Sequence, residues 1–83
     1  MQTVTLKIHK IPHGQLIKKI SSVANKYLCD VEIIVGTNIG NVKSPISFSS
    51  ILSKLKLPCN IMIRCCNWKD EDKAIVDVCQ YLK

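Results

Sequence analysis

The spacing of apolar residues changes abruptly across Pro12. From Thr3 to His9, apolar and polar residues alternate strictly, which predicts a strand with one buried and one exposed face. Pro12 ends this strand because proline has no amide hydrogen to donate to a sheet. From about Gly14 to Tyr27, apolar residues recur every three or four positions, which predicts an amphipathic helix. A histidine, His13, therefore lies between a strand and a helix.

The middle of the chain continues this mixture of strands and helices. A second strand is predicted at Asp30–Val35. The glycines and asparagine of Gly36–Gly40 predict a hairpin turn, because these residues tolerate positive φ angles. A short third strand should follow at Asn41–Lys43. A second helix should then begin within Ser44–Ser47, where a serine can serve as the N-cap, and end before Pro58, with an apolar stripe on one face.

The last segments complete the fold prediction. A fourth strand is predicted at Asn60–Cys66, and a third helix from about Asp70, whose side chain we expect to cap it. The order β-α-β-β-α-β-α predicts an α+β fold, an open-faced β-sandwich in which three helices cover one face of a four-stranded antiparallel sheet. We expect one domain over residues 1–83. Ferredoxin-like domains share much of this order, so the order alone does not fix the function.

The cysteines and charges exclude several kinds of site. The five cysteines form no Cys-x-x-Cys pair and the two histidines are not at ligand spacing with them, so we expect reduced, mostly buried thiols and no metal or cofactor. The sequence also lacks paired carboxylates and a glycine-rich phosphate loop, so a stand-alone enzyme is not expected.

The net charge of +6 leaves two interpretations open. It fits an acidic partner, and it fits equally a solvated, lysine-rich surface, because the lysines are dispersed along the sequence. Nucleic acid is disfavoured because aromatic residues make up only 5% of the chain, and a small RNA-binding domain would need a continuous basic face. No transmembrane run or signal-peptide core is present, so we expect a cytoplasmic protein without membrane insertion.

The segment around His13 carries a resemblance to a known family. Residues 11–17 read Ile-Pro-His-Gly-Gln-Leu-Ile. A strand, a histidine in a short loop and an amphipathic helix, in this element order, resemble the HPr family, the histidine phosphocarriers of bacterial sugar phosphotransferase systems. In that family the histidine is usually preceded by Gly-Leu and followed by Ala-Arg-Pro-Ala. Here Gln15 stands at the arginine position and Leu16 at the proline position.

The resemblance implies a role for each of these residues. His13 would accept a phosphoryl group on Nδ1 from enzyme I and pass it to a sugar-specific enzyme IIA. The first amides of a helix have no intrahelical acceptor, so the start of the helix favours such an anion. Gln15 can donate hydrogen bonds but lacks the charge with which the family's arginine neutralises the phosphoryl group. The chain would be a carrier modified by partner enzymes, working as a monomer.

The second helix holds two further sets of candidates. By resemblance, Ser47 or Ser44 would be the serine that HPr kinase phosphorylates in some bacteria, although plain N-capping also explains a serine there. The resemblance also places an apolar docking patch beside the histidine, for which we expect Ile17, Phe48 and Leu52 to be exposed.

Two interpretations of His13 stay open. One is the phosphocarrier. The other is a regulatory or binding module with the same fold, in which His13 is an ordinary loop histidine and phosphotransfer has been lost.

Overall fold

A computed structural model describes residues 1–83 and confirms the predicted order of elements. The strands and helices follow one another as β1 Gln2–Ile8, α1 Gly14–Ala24, β2 Asp30–Val35, β3 Asn38–Asn41, α2 Pro45–Leu52, β4 Cys59–Cys66 and α3 Glu71–Cys79. None of the three helices is long and apolar enough to cross a bilayer.

The four strands form one antiparallel sheet in the order β1-β4-β2-β3. Strand β4 lies in the middle, where Ile63 is paired with Val4 of β1 on one side and with Ile33 of β2 on the other. Alternate residues of each strand point to the same face, and the three helices cover the face to which Ile33 and Ile63 belong. The predicted open-faced β-sandwich is therefore confirmed.

A single cluster of apolar side chains fills the space between the sheet and the helices. Its largest fully buried members come from both layers: Ile20 of α1, Phe48 and Leu52 of α2, and Ile33 and Ile63 of the sheet. Burying apolar surface is the main favourable term in folding. The apolar spacing of both helices thus serves the core.

The hairpin between β2 and β3 is tighter than the sequence predicts. Val35 is paired with Asn38, so the turn consists of Gly36 and a single further residue. Gly36 adopts a φ angle of 59°, which favours glycine. Gly40 lies within β3 instead of in the turn. This position requires glycine because a Cβ atom there would lie 2.6 Å from Cγ1 of Ile51. The predictions of a turn through Gly40 and of a third strand at residues 41–43 were wrong.

Both of the first two helices end earlier than predicted. After Ala24 and after Leu52, the backbone continues with amides bonded three residues back, as from Tyr27 to the carbonyl of Ala24 at 3.2 Å. Tightened turns of this kind are common at helix ends. The predicted helices, which ran to about Tyr27 and to a point before Pro58, therefore included these turns.

Side-chain hydrogen bonds fix α1 against the segment that joins β3 to α2. The buried hydroxyl of Ser21 donates to the carbonyl oxygen of Val42 at 2.6 Å. Nδ2 of Asn25 donates to the carbonyl oxygen of Lys43, and Nζ of Lys43 donates to the carbonyl oxygen of Tyr27. Helix α1 is thus joined by polar contacts to the segment that leads into α2.

The sequence predicts that the side chain of Asp70 caps α3, and this prediction was wrong. Asp70 occupies the N-cap position, but its carboxylate accepts hydrogen bonds from the amides of Leu28 and Cys29, at 2.7 and 3.0 Å. It therefore fixes the connection between α1 and β2 to the start of α3. Partial burial alone would raise the pKa of Asp70. The hydrogen bonds from the two backbone amides lower it by more, so the pKa lies below its ordinary value.

We expect Asp70→Asn to destabilise the protein at pH 7 and to matter less in acid. A carboxyl with a lowered folded-state pKa stabilises the protein above its unfolded pKa, and this contribution is lost as the pH falls through the folded pKa. Urea unfolding of the wild type and Asp70→Asn at pH 7 and at pH 3 measures the effect. Asp72→Asn is the matched control, because it also removes a carboxylate at the start of α3, and that carboxylate bonds only to the side chain of Gln2. An equal loss for Asp70→Asn at both pH values would contradict the prediction.

Candidate functional site

His13 is the N-cap residue of α1. Its backbone is extended, with φ −71° and ψ 165°, and Nδ1 accepts a hydrogen bond from the amide of Leu16 at 3.2 Å. An acceptor nitrogen must carry its lone pair, so this contact corresponds to the tautomer with the hydrogen on Nε2. The side chain is exposed. The sequence did not predict this bond because histidine is not among the usual N-cap residues.

The start of α1 is open to solvent and free of negative charge. Gly14 and Gln15 are exposed, and a Cβ atom on Gly14 would have no atom within 4 Å. The first turn contains no acidic residue. The first amides of a helix point along its axis and carry partial positive charge, so an anionic group bonded to His13 would meet donors there.

A groove runs between α1 and α2 beside His13, with a volume of about 400 Å³. It is lined by Gly14, Ile17 and Lys18 of α1 and by Pro45, Ile46, Ser49, Ser50 and Ser53 of α2 and its end. We call it the α1–α2 groove. Ile46 is 84% exposed, so the groove presents an apolar side chain among hydroxyl groups and one lysine.

His13 itself lines a second hollow, of about 340 Å³, on the side away from α2. Its walls come from the segment between β1 and α1 and from the residues after α3, including Lys10, Ile11, Tyr81 and Lys83. We call it the α3-side hollow. It shares no lining residue with the α1–α2 groove.

Comparisons of sequence alone find no relative, since no family model and no curated protein matches the chain. Solved structures do match. The histidine-containing phosphocarrier protein of Mycoplasma has a TM-score of 0.84 and 22% identity, over 96% of this chain and 90% of that one. Phosphocarrier protein HPr of Bacillus anthracis has a TM-score of 0.77 and 17% identity, over the whole of both chains.

A third match is Crh, a catabolite-repression protein of Bacillus subtilis that forms a domain-swapped dimer. It has a TM-score of 0.74 and 17% identity, over 99% of this chain and 91% of that one. The chain has the HPr fold. The resemblance seen around His13 thus extends to the arrangement of all seven elements.

Within this HPr fold, the predicted docking residues are not on the surface. Phe48 and Leu52 are fully buried and Ile17 is 7% exposed, so the prediction that they form an exposed patch was wrong. The apolar stripe of α2 packs on the sheet, as an amphipathic helix does when it covers a core. Ile46 precedes Phe48 by two positions and so lies on the opposite side of the helix. That position off the stripe is the sequence signal that could have identified it.

The two candidate serines of the HPr fold both make hydrogen bonds with the backbone. Ser44 is the N-cap of α2, and its Oγ accepts from the amide of Ser47 at 3.3 Å. Oγ of Ser47 accepts from the amide of Asn41 at 2.9 Å. Each hydroxyl therefore has a local structural use, and phosphorylation of either would have to replace that bond.

The cysteines lie outside this site. Cys29, Cys65 and Cys79 are buried, whereas Cys59 and Cys66 are partly exposed. Burial raises the pKa of Cys65 to about 12 and that of Cys29 to about 11, which keeps both thiols protonated at neutral pH. They contribute to the core as small apolar side chains.

Proposed function

We propose that this protein is a phosphoryl carrier, which accepts a phosphoryl group on His13 from enzyme I and passes it to a sugar-specific enzyme IIA. The observation that carries the proposal is an exposed imidazole at the open N-terminus of α1 within the HPr fold. The protein would not catalyse a reaction itself. It would act as a monomer in the cytoplasm, where its partner enzymes would modify it.

The local geometry supports Nδ1 as the nucleophile. Its lone pair already faces the Leu16 amide, and the hydrogen is on Nε2. In the transfer, the bond from Nδ1 to phosphorus forms as the bond from phosphorus to the donor breaks. The amide of Leu16, released from Nδ1, and those of Gly14 and Gln15 can then donate to the phosphoryl oxygens. Passing the group to an acceptor reverses these steps.

Partner enzymes would dock on the α1–α2 groove. It adjoins His13, and it combines an exposed apolar side chain, Ile46, with the charge of Lys18 and several hydroxyl groups. An apolar centre with a polar rim is the usual composition of a protein interface. Ser47 and Ser44 remain candidates for regulatory phosphorylation by HPr kinase, since a phosphate at the start of α2 would alter the groove.

A regulatory module that has lost phosphotransfer is the second candidate. Gln15 favours it, because an uncharged side chain stands where the family has an arginine. The structural similarity to Crh, a catabolite-repression protein, also supports it. In this case the groove would bind partners without transfer of a phosphoryl group.

Phosphorylation by enzyme I separates the two candidates. We expect incubation with phosphoenolpyruvate and enzyme I to add one acid-labile phosphoryl group, measured as intact mass at alkaline pH. His13→Ala should abolish the gain, since no other imidazole lies at the start of α1. His9→Ala is the matched control and should retain the gain, since His9 is also exposed but lies four positions earlier, outside the start of α1.

The positive control is a standard HPr with the same enzyme I. If that control is phosphorylated and this protein is not, even with enzyme I from its own cell, the carrier proposal fails. A gain that persists in His13→Ala would also refute His13 as the acceptor.

A further inference from the structure

The α3-side hollow belongs to a larger surface. A third hollow adjoins it and shares four of its lining residues, Ile8, Lys10, Leu82 and Lys83. Together the two hollows cover the segment Lys7–His13 and the segment Tyr81–Lys83. We call this the β1–α3 surface. His13 lies at its edge, and docking on the α1–α2 groove does not use it.

The side chains of this surface carry only positive or neutral groups. Lys7, Lys10 and Lys83 are exposed, and the two histidines of the chain lie beside them. No aspartate or glutamate side chain lines either hollow. The six acidic residues of the chain all lie in β2 or at the start and middle of α3: Asp30, Glu32, Asp70, Glu71, Asp72 and Asp77. The lining side chains therefore attract negative charge, and none of them supplies a counter-ion.

The α3-side hollow adds an apolar floor to this basic surface. Ile11 is 36% exposed, and Leu16 and Tyr81 are half-buried around it. A volume of about 340 Å³ is enough for one large apolar side chain. The combination of an apolar hollow and a lysine rim differs from a surface that only keeps a protein soluble.

We propose that the β1–α3 surface binds an acidic segment of a partner protein, with one large apolar side chain in the α3-side hollow and flanking carboxylates on Lys7, Lys10 and Lys83. Charge complementarity selects an anionic partner, and the apolar floor selects a peptide over a nucleic acid. Single-stranded nucleic acid binds through several stacked aromatic residues, and here Tyr81 is the only large aromatic side chain, with no phenylalanine or tryptophan beside it. The groove and the hollow share no lining residue, but His13 lines the hollow, so a partner bound there covers the imidazole.

The test is a titration of the unphosphorylated, ¹⁵N-labelled protein with an acetylated, amidated heptapeptide of sequence Glu-Asp-Glu-Phe-Glu-Asp-Glu. Amide chemical shifts should change over Lys7–His13 and Tyr81–Lys83 and not along α2. Replacing the central phenylalanine of the peptide with glycine should weaken binding by at least about fivefold, because the hollow is then unfilled. Because no phosphoryl transfer is involved, this result is independent of the proposed carrier function.

A pair of charge-reversed variants gives the control. Lys10→Glu combined with Lys83→Glu should weaken binding by at least about tenfold, since both lysines line both hollows. Lys26→Glu combined with Lys73→Glu changes the net charge equally at exposed sites outside the surface and should change binding by less than about twofold. Circular dichroism would verify that both variants fold.

Three results would overturn the proposal. The first is the absence of shift changes, or changes confined to the α1–α2 groove. The second is an equal loss of affinity in the two charge-reversed variants, or equal binding of the glycine peptide, which would indicate attraction by net charge alone. The third is that an oligonucleotide binds the same residues more tightly than the peptide does, which would indicate a nucleic-acid surface.

Discussion

Phe48→Ala is expected to lower the free energy of unfolding by about 3–5 kcal/mol, the usual cost of removing a buried phenylalanine side chain. Phe48 is fully buried between α2 and the sheet. Because small domains are stable by only about 5–15 kcal/mol, the variant should be close to unfolding at room temperature. Urea denaturation followed by circular dichroism measures the loss.

Ile46→Ala is the matched control on the same helix. Ile46 is 84% exposed, so its replacement should change the free energy of unfolding by less than about 0.5 kcal/mol. If the α1–α2 groove docks partners, this variant should weaken partner binding without loss of stability. The opposite pattern, in which Phe48→Ala remains stable and loses partner binding, would restore Phe48 as a docking residue.

Gln15→Arg is expected to raise the rate of phosphoryl transfer to His13 by about tenfold. The phosphoryl group is charged, so a hydrogen bond from glutamine is already charge-assisted, and an arginine adds the attraction between two unit charges, which at about 4 Å is about 1–4 kcal/mol between bulk water and a protein surface. A gain of about 1.4 kcal/mol, near the lower end of this range because the site is exposed, corresponds to a factor of about ten in rate if it acts on the transition state. Gln15 is exposed beside His13, so an arginine fits there without disturbing the core. Rapid-quench measurement of phosphoprotein formation gives the rate.

Ser22→Arg separates this local effect from a change in net charge. Ser22 is exposed on α1, two turns further along the helix, at a distance of roughly 10 Å. It should change the rate by less than about twofold at physiological ionic strength, because charges at that distance are largely screened. An equal gain in both variants would show that only net charge matters. No gain in Gln15→Arg would show that other donors already meet the phosphoryl group.

The hydrophobic periodicity predicted the fold because it is a property of neighbouring residues. The alternation in β1 and the helical spacing of α1 each follow from which face meets the core, and the structure confirms both elements. The stripe of α2 was also predicted correctly. The expected docking patch was wrong, because the resemblance suggested exposed residues at positions where the periodicity required buried ones. That the chain forms one domain stays a prediction.

The features that the sequence did not predict depend on partners distant in the chain. Asp70 accepts hydrogen bonds from amides more than forty positions away in the sequence, whereas the sequence could suggest only the local capping role. Gly40 is required by the approach of Ile51, which becomes visible only when α2 lies on the sheet. The roles proposed for His13 and Gln15 rest on position and chemistry, and remain predictions until phosphorylation is measured.

The hydrogen bonds of Ser21, Asn25 and Lys43 have a consequence for the entropy of binding. They fix α1 to the segment before α2, so both walls of the α1–α2 groove are held by the folded protein itself. A partner that docks there does not have to order the two helices. The conformational entropy that binding would otherwise cost has been lost already on folding, and more of the contact energy remains as affinity.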